Sequence, residues 1–495
     1  MATNTDLALT DALVREVDWV DPGRLAAALE ARGASHLSLL ESGLPESPWG
    51  IWTFLAWNPP GAFAHDGLAW ADQRAGVACA DALYDALAAQ PSKPWETLSA
   101  AWEKARAPLP TGNGRTTAGH PVPPFRGGMV AALSYDAARA LPDFQPWETR
   151  AERDLAWPWF DLRLVGSLLA FHHPSGRAFA VASRHPGLVR PETALEQLAQ
   201  DLEAARATDA PHAGPHARIE ALLHSNMDDA AYAQAFARVQ DYLVAGDVYQ
   251  VNLTRRFDAP CDDPASVLYA RLRERARAPY GALLTAPDRA IVSASPELFL
   301  AGDGARLITR PIKGTRPRGG DRAEDTQLIA DLLASAKDRA EHVMIVDVHR
   351  HDLGRVSDYG SVVVETLAGH EVFLTVHHMT STIHGAQRTG VTPWQAIAAA
   401  FPAGSITGAP KRRAIEIIEE LEPTRRAQYT GGIGWLGFDG AFGLNVSIRT
   451  ILVAGGRAYY QAGGGIVIDS KLEDEAAETW SKARAMHAAV AARPA

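Results

Sequence analysis

Cysteine is almost absent: 495 residues contain two, Cys79 in VACAD and Cys261 in APCDD. Two thiols are too few for a disulfide framework or a thiolate metal site, so both read as plain thiols. Basic residues are also scarce at the start, where MATNTDLALTDALVREVDW carries acids in place of the basic region and apolar run of a signal peptide, so secretion is not expected. The charge-free stretch from Thr389 to Pro410 is broken by Pro393, Pro402 and several glycines, which does not suit a membrane helix. Positive charge is in deficit, with 48 Lys plus Arg against 58 Asp plus Glu and a formal charge of -10. That balance disfavours a phosphate backbone as main partner. The expectation is a soluble, cytoplasmic protein without nucleic-acid or membrane partners.

What is present is an ordinary globular balance, 47% hydrophobic and 21% charged, enough for one large or two moderate domains with a substantial core. Residues 1 to about 200 mix strand-like runs with Pro-rich loops such as HPVPPF (His120 to Phe125) and hold most of the tryptophans. No repeat is evident. ARATDAPHAGPHAR, Ala205 to Arg218, is rich in Ala, Pro and His without apolar periodicity and reads as a linker or long surface loop. The chain therefore divides into an N-terminal region 1–204, a connecting stretch 205–222 and a C-terminal domain 223–495.

Beyond that stretch the patterns sharpen. From Asp325 to about His349, Ile329, Leu332, Leu333, Ala336, Ala340 and Val343 recur at helical intervals, predicting an amphipathic helix with Asp338 and Glu341 one turn apart on its polar flank. The segment from about Leu472 to Ala492 predicts another, with Glu475, Glu478 and Lys482 on one face. ELFLAGDGARLITRP predicts a hairpin around Gly302, Asp303 and Gly304. Pairing Leu300 near Arg306 sets Glu297 opposite Thr309, and Lys313 then lies about 13 Å further along at strand rise. Both groups emerge at the same end of that hairpin. Gly431 to Ser470 reads as a meander with turns near Asp439-Gly440 and Gly455-Gly456, in which Arg449 alternates away from the apolar Leu444, Val446 and Ile448.

Several of these groups can do chemistry, and each also has a plainer reading. The pairs Asp338/Glu341 and Glu475/Glu478 could converge on a hard cation such as Mg²⁺, which takes oxygen ligands; such pairs also serve as solvated helix faces. AGGGIVIDS, Ala462 to Ser470, offers successive backbone N–H groups for a carboxylate, with Arg449 for a second; it could equally be a Gly-rich turn. GSITGAPKRRA, Gly404 to Ala414, reads as a loop opening a helix with Pro410 in its first turn. It could hold an anion but lacks the P-loop spacing, which argues against a nucleotide.

TRPIKGTRPRG, Thr309 to Gly319, places one lysine, Lys313, among Arg310, Arg316 and Arg318. A lysine is ordinarily a solvated surface cation. To act as a nucleophile it must shed a proton, so its pKa must fall from about 10.4 by desolvation or cationic neighbours. Glu297 in SASPELF could be a general acid if burial keeps it protonated near neutrality, or a turn-capping acid after Ser295-Pro296.

Taken together, the chain resembles the chorismate-utilising enzymes over roughly residues 225 to 490. The resemblance rests on GDVYQVNLTRRF (Gly246 to Phe257), SASPELF (Ser293 to Phe299), TRPIKGTRPRG and KDRAEHVMIVDVHRHDLGR (Lys337 to Arg355). It continues in order through HHMTSTI (His377 to Ile383), PAGSITGAPKRRA, YTGGIGW (Tyr429 to Trp435), SIRT (Ser447 to Thr450) and AGGGIVIDS with its following helix. The fold it implies is α+β, two large antiparallel β-sheets packed on each other with flanking helices.

The family also divides at two positions. Isochorismate and salicylate synthases typically place a water-activating lysine where this chain has Gln250, whereas anthranilate synthases have glutamine there and alanine in a PIAGT segment. Gln250 together with Lys313 in PIKGT resembles the branch that aminates chorismate at C4 on the way to p-aminobenzoate and folate. By that resemblance Mg²⁺ is held by Glu341 and Glu478, with Asp338 and Glu475 in support, and binds the ring carboxylate with help from Gly464, Gly465 and Lys482. Arg449 and Tyr429 hold the enolpyruvyl carboxylate, and Ser405 and His378 line the ring. Lys313 attacks C2 while Glu297 protonates the departing C4 hydroxyl; ammonia then enters at C4 and expels the lysine. The implied ammonia source is a glutamine amidotransferase partner, since neither cysteine lies in a glutaminase-like context.

Two features depart from or extend that pattern. Arg350 to Asp352 reads RHD where the family usually has RND, with His351 outside the residues given a chemical role. LLES, Leu39 to Ser42, resembles the segment with which anthranilate synthases bind inhibitory tryptophan, so Leu40, Glu41 and Ser42 are a candidate tryptophan pocket and anthranilate synthase is the runner-up activity. A non-catalytic chorismate-holding subunit is the third reading, and the joint presence of four acids, Lys313 and Arg449 argues against it.

Overall fold

The computed structural model describes residues 7–44, 50–106, 121–145, 147–209, 217–218, 224–373 and 376–493. Strand β1 (Ser38–Glu41) lies in the N-terminal region. After it come β2 (Gln250–Pro260), a hairpin of β3 (Tyr280–Ala286) and β4 (Arg289–Ser295), a hairpin of β5 (Leu298–Gly302) and β6 (Arg306–Arg310), and β7 (Ile312–Pro317). Helices α1 (Arg322–Ala334) and α2 (Ala336–Gly354) lead to the antiparallel pair β8 (Val363–Val372) and β9 (Val376–Ala386). The chain then runs through α3 (Lys411–Leu421), β10 (Gly432–Gly437), β11 (Phe442–Val446), β12 (Thr450–Ala454), β13 (Arg457–Ile466) and α4 (Leu472–Ala491).

Two large antiparallel sheets result. In one, of thirteen strands among the described residues, β1, β3, β4, β12, β13 and β2 are successive neighbours. In the other, of eleven, β9 carries β6 and β7 along one side and β8 on the other, and the sheet continues through β5, β11, β10 and Gly128–Leu133. Both sheets run across the expected boundary: Glu41 of β1 pairs with Gly281 of β3, and Leu133 pairs with Gly432. Within the expected connecting stretch, a helix (Pro191–Arg206) ends at its start, and residues 210–216 and 219–222 lie outside the described residues, as does His120 of the Pro-rich loop.

The sheets pack face to face, and this explains strands that lack polar alternation. In Ser167–His172, Leu168 and Ala170 join the cluster between the sheets with Val130, Leu284 and Ile433, while Leu169 and Phe171 face outward into a second cluster with helical residues such as Leu195 and Leu268. Helices cover the outer face of the second sheet in the same way, burying Trp102, Trp394, Val346 and Ile415. Burial on both faces stabilises such strands by about 1.5–3 kcal/mol per large side chain, so their sequences read as nearly continuous apolar runs.

Three local expectations need correction. The β5–β6 hairpin forms, but Gly302 pairs with Leu307 and Leu298 with Arg310 across a bulge, so Glu297 is not opposite Thr309. Thr309 instead donates to the Phe299 carbonyl at 2.6 Å. The single helix expected from Asp325 to His349 is two, because Ser335 leaves helical geometry and caps α2, its hydroxyl accepting from the Asp338 N–H at 3.2 Å. The expected meander is two hairpins in different sheets, β10–β11 in one and β12–β13 in the other. Arg449 therefore sits at the crossing between sheets, with φ +53°, and not on a strand face.

Candidate active site

A glycine run brings two elements into close approach. Along β13, Gly464 pairs with Leu253 and Gly465 with Asn252 of β2. A Cβ on Gly464 would lie 2.7 Å from Glu475 Oε2 and 3.3 Å from Glu478 Oε2, so any larger residue would push these two carboxylates from their present places. A Cβ on Gly465 would meet the Gln250 amide at 2.8 Å and Lys313 Nζ at 3.0 Å. Gln250 and Lys313 thus converge over one glycine. Gln250 is fully buried and neither its Oε1 nor its Nε2 has a hydrogen-bond partner.

Lys313 reaches that point from β7, whose register against β9 slips between Lys313 and Thr315 at Gly314, φ +74°. Desolvation holds its amine below the ordinary lysine range, partly opposed by the charge of Glu341 and reinforced by that of Lys482. Glu297 follows β4 and is buried; its backbone carbonyl accepts from Val446 N–H at 3.0 Å. Burial raises its carboxyl to about 7, against the opposing effects of the Ser405 hydroxyl, which donates to Oε1 at 2.6 Å, and of the Lys313 charge. A carboxyl weakened as an acid and an amine weakened as a base therefore feel each other's charge in one buried region.

The four acids flank this pair. Burial raises Glu341, eased by Lys313 and Lys337 and reinforced by Glu475 and Asp338. Burial also raises Glu475, whose Oε1 accepts from Ser470 Oγ at 2.7 Å while its buried Oε2 has no partner. Glu478 is held down, chiefly by Lys482, whose Nζ lies 2.8 Å from Glu478 Oε1 and donates to the Gly463 carbonyl at 2.9 Å. Asp338 accepts from Arg316 at 2.8 Å. Among the described residues no three His, Cys, Asp or Glu side chains form a ready metal shell. Even so, four hard oxygen-donor side chains from two helices, with Glu475 Oε2 orphaned, are a donor set that suits a divalent cation.

Three further polar groups expected at the site are Arg449, Tyr429 and His378. Among the described residues the Arg449 side chain has no hydrogen bond or ion pair, and desolvation alone depresses it. Tyr429 is buried, its hydroxyl raised by burial and hydrogen-bonded to Asn252. His378 is buried and driven down to about 3, first by desolvation and then by the Arg449 charge, so its ring is neutral. Its Nδ1 lies 3.0 Å from Thr315 Oγ1. Asn252 and Thr315 are contacts that sequence reasoning missed; both lie inside recognised motifs, where nothing in their spacing separates them from neighbours.

Leu40, Glu41 and Ser42 form a separate cluster on and beyond β1, all buried. Glu41 is raised to about 7 by burial, against Arg273, which lies 2.8 Å from Oε1, and Tyr269, which donates to Oε2 at 2.6 Å. Ser42 donates to the Leu44 carbonyl at 3.3 Å, and its N–H to Thr53 Oγ1 at 3.1 Å.

The arrangement has counterparts in known proteins. The family model described as chorismate binding enzyme matches residues 60–488. Anthranilate synthase component 1 of Thermus thermophilus is 40% identical over 408 residues, covering 80% of this chain and 82% of that protein. Aminodeoxychorismate synthase component 1 of Bacillus subtilis is 39% identical over 378 residues, covering 76% and 79%. The crystal structure of anthranilate synthase component I from Streptococcus pneumoniae is similar with a TM-score of 0.73 at 27% identity, covering 89% of this chain and 93% of that one. Since the matched segment runs through every residue of the cluster from Gln250 to Lys482, the chain belongs to the family of chorismate binding enzymes.

Proposed function

We propose that the chain aminates chorismate at C4 to give 4-amino-4-deoxychorismate, using ammonia from a glutamine amidotransferase partner. The observation that carries this reading is the convergence of a desolvated Lys313 amine, an unpartnered Gln250 amide and a carboxyl at Glu297 that stays protonated to about pH 7. Relatives named aminodeoxychorismate synthase component 1 support the product, and the word component supports a partner.

Arg449 and Tyr429 would hold the enolpyruvyl carboxylate, an unpaired guanidinium being costly to bury unless an anion comes to it. Gly464, Gly465 and Lys482 would face the ring carboxylate, with His378 and Ser405 along the ring. Neutral Lys313 adds through Nζ to C2, the ring double bonds shift, and the C4–O bond breaks as Glu297 gives its proton to the departing hydroxyl, which leaves as water. Ammonia then forms the C4–N bond, the double bonds shift back, the C2–N bond to lysine breaks, and the proton lost by nitrogen returns to Glu297. The enolpyruvyl group is retained. Glu341 and Glu478, with Glu475 and Asp338 in support, would hold Mg²⁺, which when bound supplies Lewis-acid polarisation and a template for the ring carboxylate.

Anthranilate synthase is the second reading, because relatives with that name are equally similar. Purified protein with chorismate, Mg²⁺ and ammonium chloride decides between them. The proposal expects aminodeoxychorismate without pyruvate, and loss of that product in Lys313→Ala. Steady release of pyruvate with fluorescent anthranilate, or wild-type amination by the Lys313 variant, would overturn it.

A further inference from the structure

Strand β2 carries Gln250 and Asn252 into the site, yet its outer edge is only partly covered. Among the described residues Gly408–Ala409 pairs with Val251 and Gln250, and His224–Ser225 with Asp258 and Phe257. Between these two short pairings no described strand continues the sheet, so the backbone groups of residues 252–256 on that edge need other partners. Asn226 serves Arg256: its Oδ1 accepts from the Arg256 N–H at 2.8 Å and its own N–H donates to the Arg256 carbonyl at 2.9 Å. At Asn252 and Thr254 an ion pair takes the place of a strand. Arg426 donates to the Asn252 carbonyl at 2.7 Å, and Glu422 Oε1 accepts from the Thr254 N–H at 3.0 Å and from the Thr254 hydroxyl at 2.7 Å.

Both members of the pair are buried, and the contact is bidentate, with Arg426 Nε to Glu422 Oε2 at 2.9 Å and Nη2 to Oε1 at 2.7 Å. A buried ion pair seldom gains stability over apolar side chains of the same volume, so its presence calls for a positional reason. The remaining contacts supply one. Arg426 Nη1 donates to the Ile406 carbonyl at 3.0 Å, one residue after Ser405, whose hydroxyl holds Glu297. The guanidinium carbon also lies over the Tyr429 ring, 5.9 Å from its centroid, and Asn252 is hydrogen-bonded to the Tyr429 hydroxyl. One planar group thus meets three segments that converge on the site.

We propose that Arg426, held by Glu422, is a positioning residue that sets the Ser405–Glu297 contact and the Tyr429 hydroxyl in register with β2, an inference that rests on the amination reading above. Its donors point at Glu422, Asn252, Ile406 and, at 3.4 Å, Thr430 Oγ1, so it acts on chorismate through other residues. Through Ser405 it acts on the proton that Glu297 gives to the departing hydroxyl, and through Tyr429 and Asn252 on the enolpyruvyl carboxylate. Both kcat and KM therefore depend on it. Lysine cannot replace it, because one ammonium lacks the planar fork that reaches Glu422, Asn252 and Ile406 together.

The test compares the full-length wild type with Arg426→Lys and with Glu422→Gln/Arg426→Met, which removes both charges and so leaves neither buried alone. Each protein is assayed with chorismate, Mg²⁺ and ammonium chloride across pH, and its melting temperature is recorded. The expected result for both variants is a tenfold or greater fall in kcat/KM, divided between lower kcat and higher KM. Their alkaline limb should also lie above the wild-type value of about 7, because Ser405 no longer opposes the burial of Glu297. Thr254→Val keeps the ion pair and removes one donor to Glu422; it should show the same split at a smaller size, and it decides the matter where the other two do not fold. A purely structural pair would lower the melting temperature and leave kcat, KM and the limb of the folded protein at wild-type values, which would overturn the proposal. Absence of amination by the wild type would strike the amination reading instead. Calorimetric binding of chorismate then decides the positioning, tenfold weaker in the variants if it holds and unchanged if it does not.

Discussion

Removing one hydroxyl should move the pH profile of the reaction. Ser405 Oγ donates to Glu297 Oε1 at 2.6 Å and opposes the burial that raises this carboxyl to about 7. A hydrogen bond to a charged acceptor contributes about 1.5–3 kcal/mol, and one pKa unit corresponds to about 1.4 kcal/mol. Because the protonated carboxyl keeps part of that bond, Ser405→Ala should raise Glu297 by about one unit. In the wild type, kcat/KM should fall as pH rises through about 7, since Glu297 then loses the proton it must give. In the variant that limb should move to about pH 8. The assay holds ammonia saturating at each pH, so the protonation of the nucleophile does not shape the curve. Lys313 and Glu297 feel each other's charge, so the two limbs belong to the pair. The same carboxyl gives a stability signature. Its folded pKa lies above the ordinary 4.5, so the stability it contributes is complete below 4.5 and is lost as pH rises through about 7, a change of roughly 3 kcal/mol. Glu297→Gln cannot ionise, so its stability relative to wild type should grow between pH 5 and pH 8 in urea unfolding. An alkaline limb that stays in place in Ser405→Ala would refute the assignment of Glu297 as the acid.

Two further outcomes follow from unpaired or candidate ligand groups. Arg449→Ala should raise KM for chorismate tenfold or more, while leaving stability unchanged or higher, because the guanidinium is desolvated without a partner; a stability loss with unchanged KM would make it a structural arginine. If the cluster at Leu40, Glu41 and Ser42 is a tryptophan pocket, native mass spectrometry of gently purified protein should show the bound amino acid, and Glu41→Ala should lose it; reproducible absence from the wild type would remove the pocket.

Much of the fold was legible because local rules and tertiary context agree there. The β5–β6 hairpin, the β12–β13 turn at Gly455-Gly456 and α4 follow from alternation, paired glycines and helical spacing. The break at Ser335 was legible in principle, since Ser335 followed three residues later by Asp338 is a helix-start signature, yet the apolar spacing ran straight through it. The crossing at Ser447 to Arg449 carries no such mark. SIRT reads as continued alternation, and only packing of one sheet on the other requires the chain to leave β11 and re-enter at β12. Register was likewise hidden, because a bulge adds a residue without changing composition.

The candidate site shows a different limit. Spacing could place Asp338 with Glu341 and Glu475 with Glu478, each pair on its own helix, but could not say that Glu341 on α2 feels the charge of Glu475 on α4, nor that the carboxylates of α4 lie against Gly464 of β13. It could name Lys313 as unusual without supplying the desolvation that holds its amine below the ordinary lysine range, because its surroundings include Gln250, Gly465 and Lys482, drawn from segments far apart in the chain. The stripe on α2 is the instructive failure. Helical periodicity detects an apolar face and cannot tell whether protein or solvent lies against it, so Ala336, Ala340 and Val343 read as core while His342 and His349 hold that place. Those histidines are buried because each ring finds a polar partner, Ser381 Oγ at 2.6 Å and Thr309 Oγ1 at 2.9 Å, while desolvation pushes the rings down to about 4 and about 3, keeping them neutral. An exposed apolar residue on a helix, such as Ala336 or Ala340, can be there for helix propensity alone, and that is why its spacing cannot be read as core.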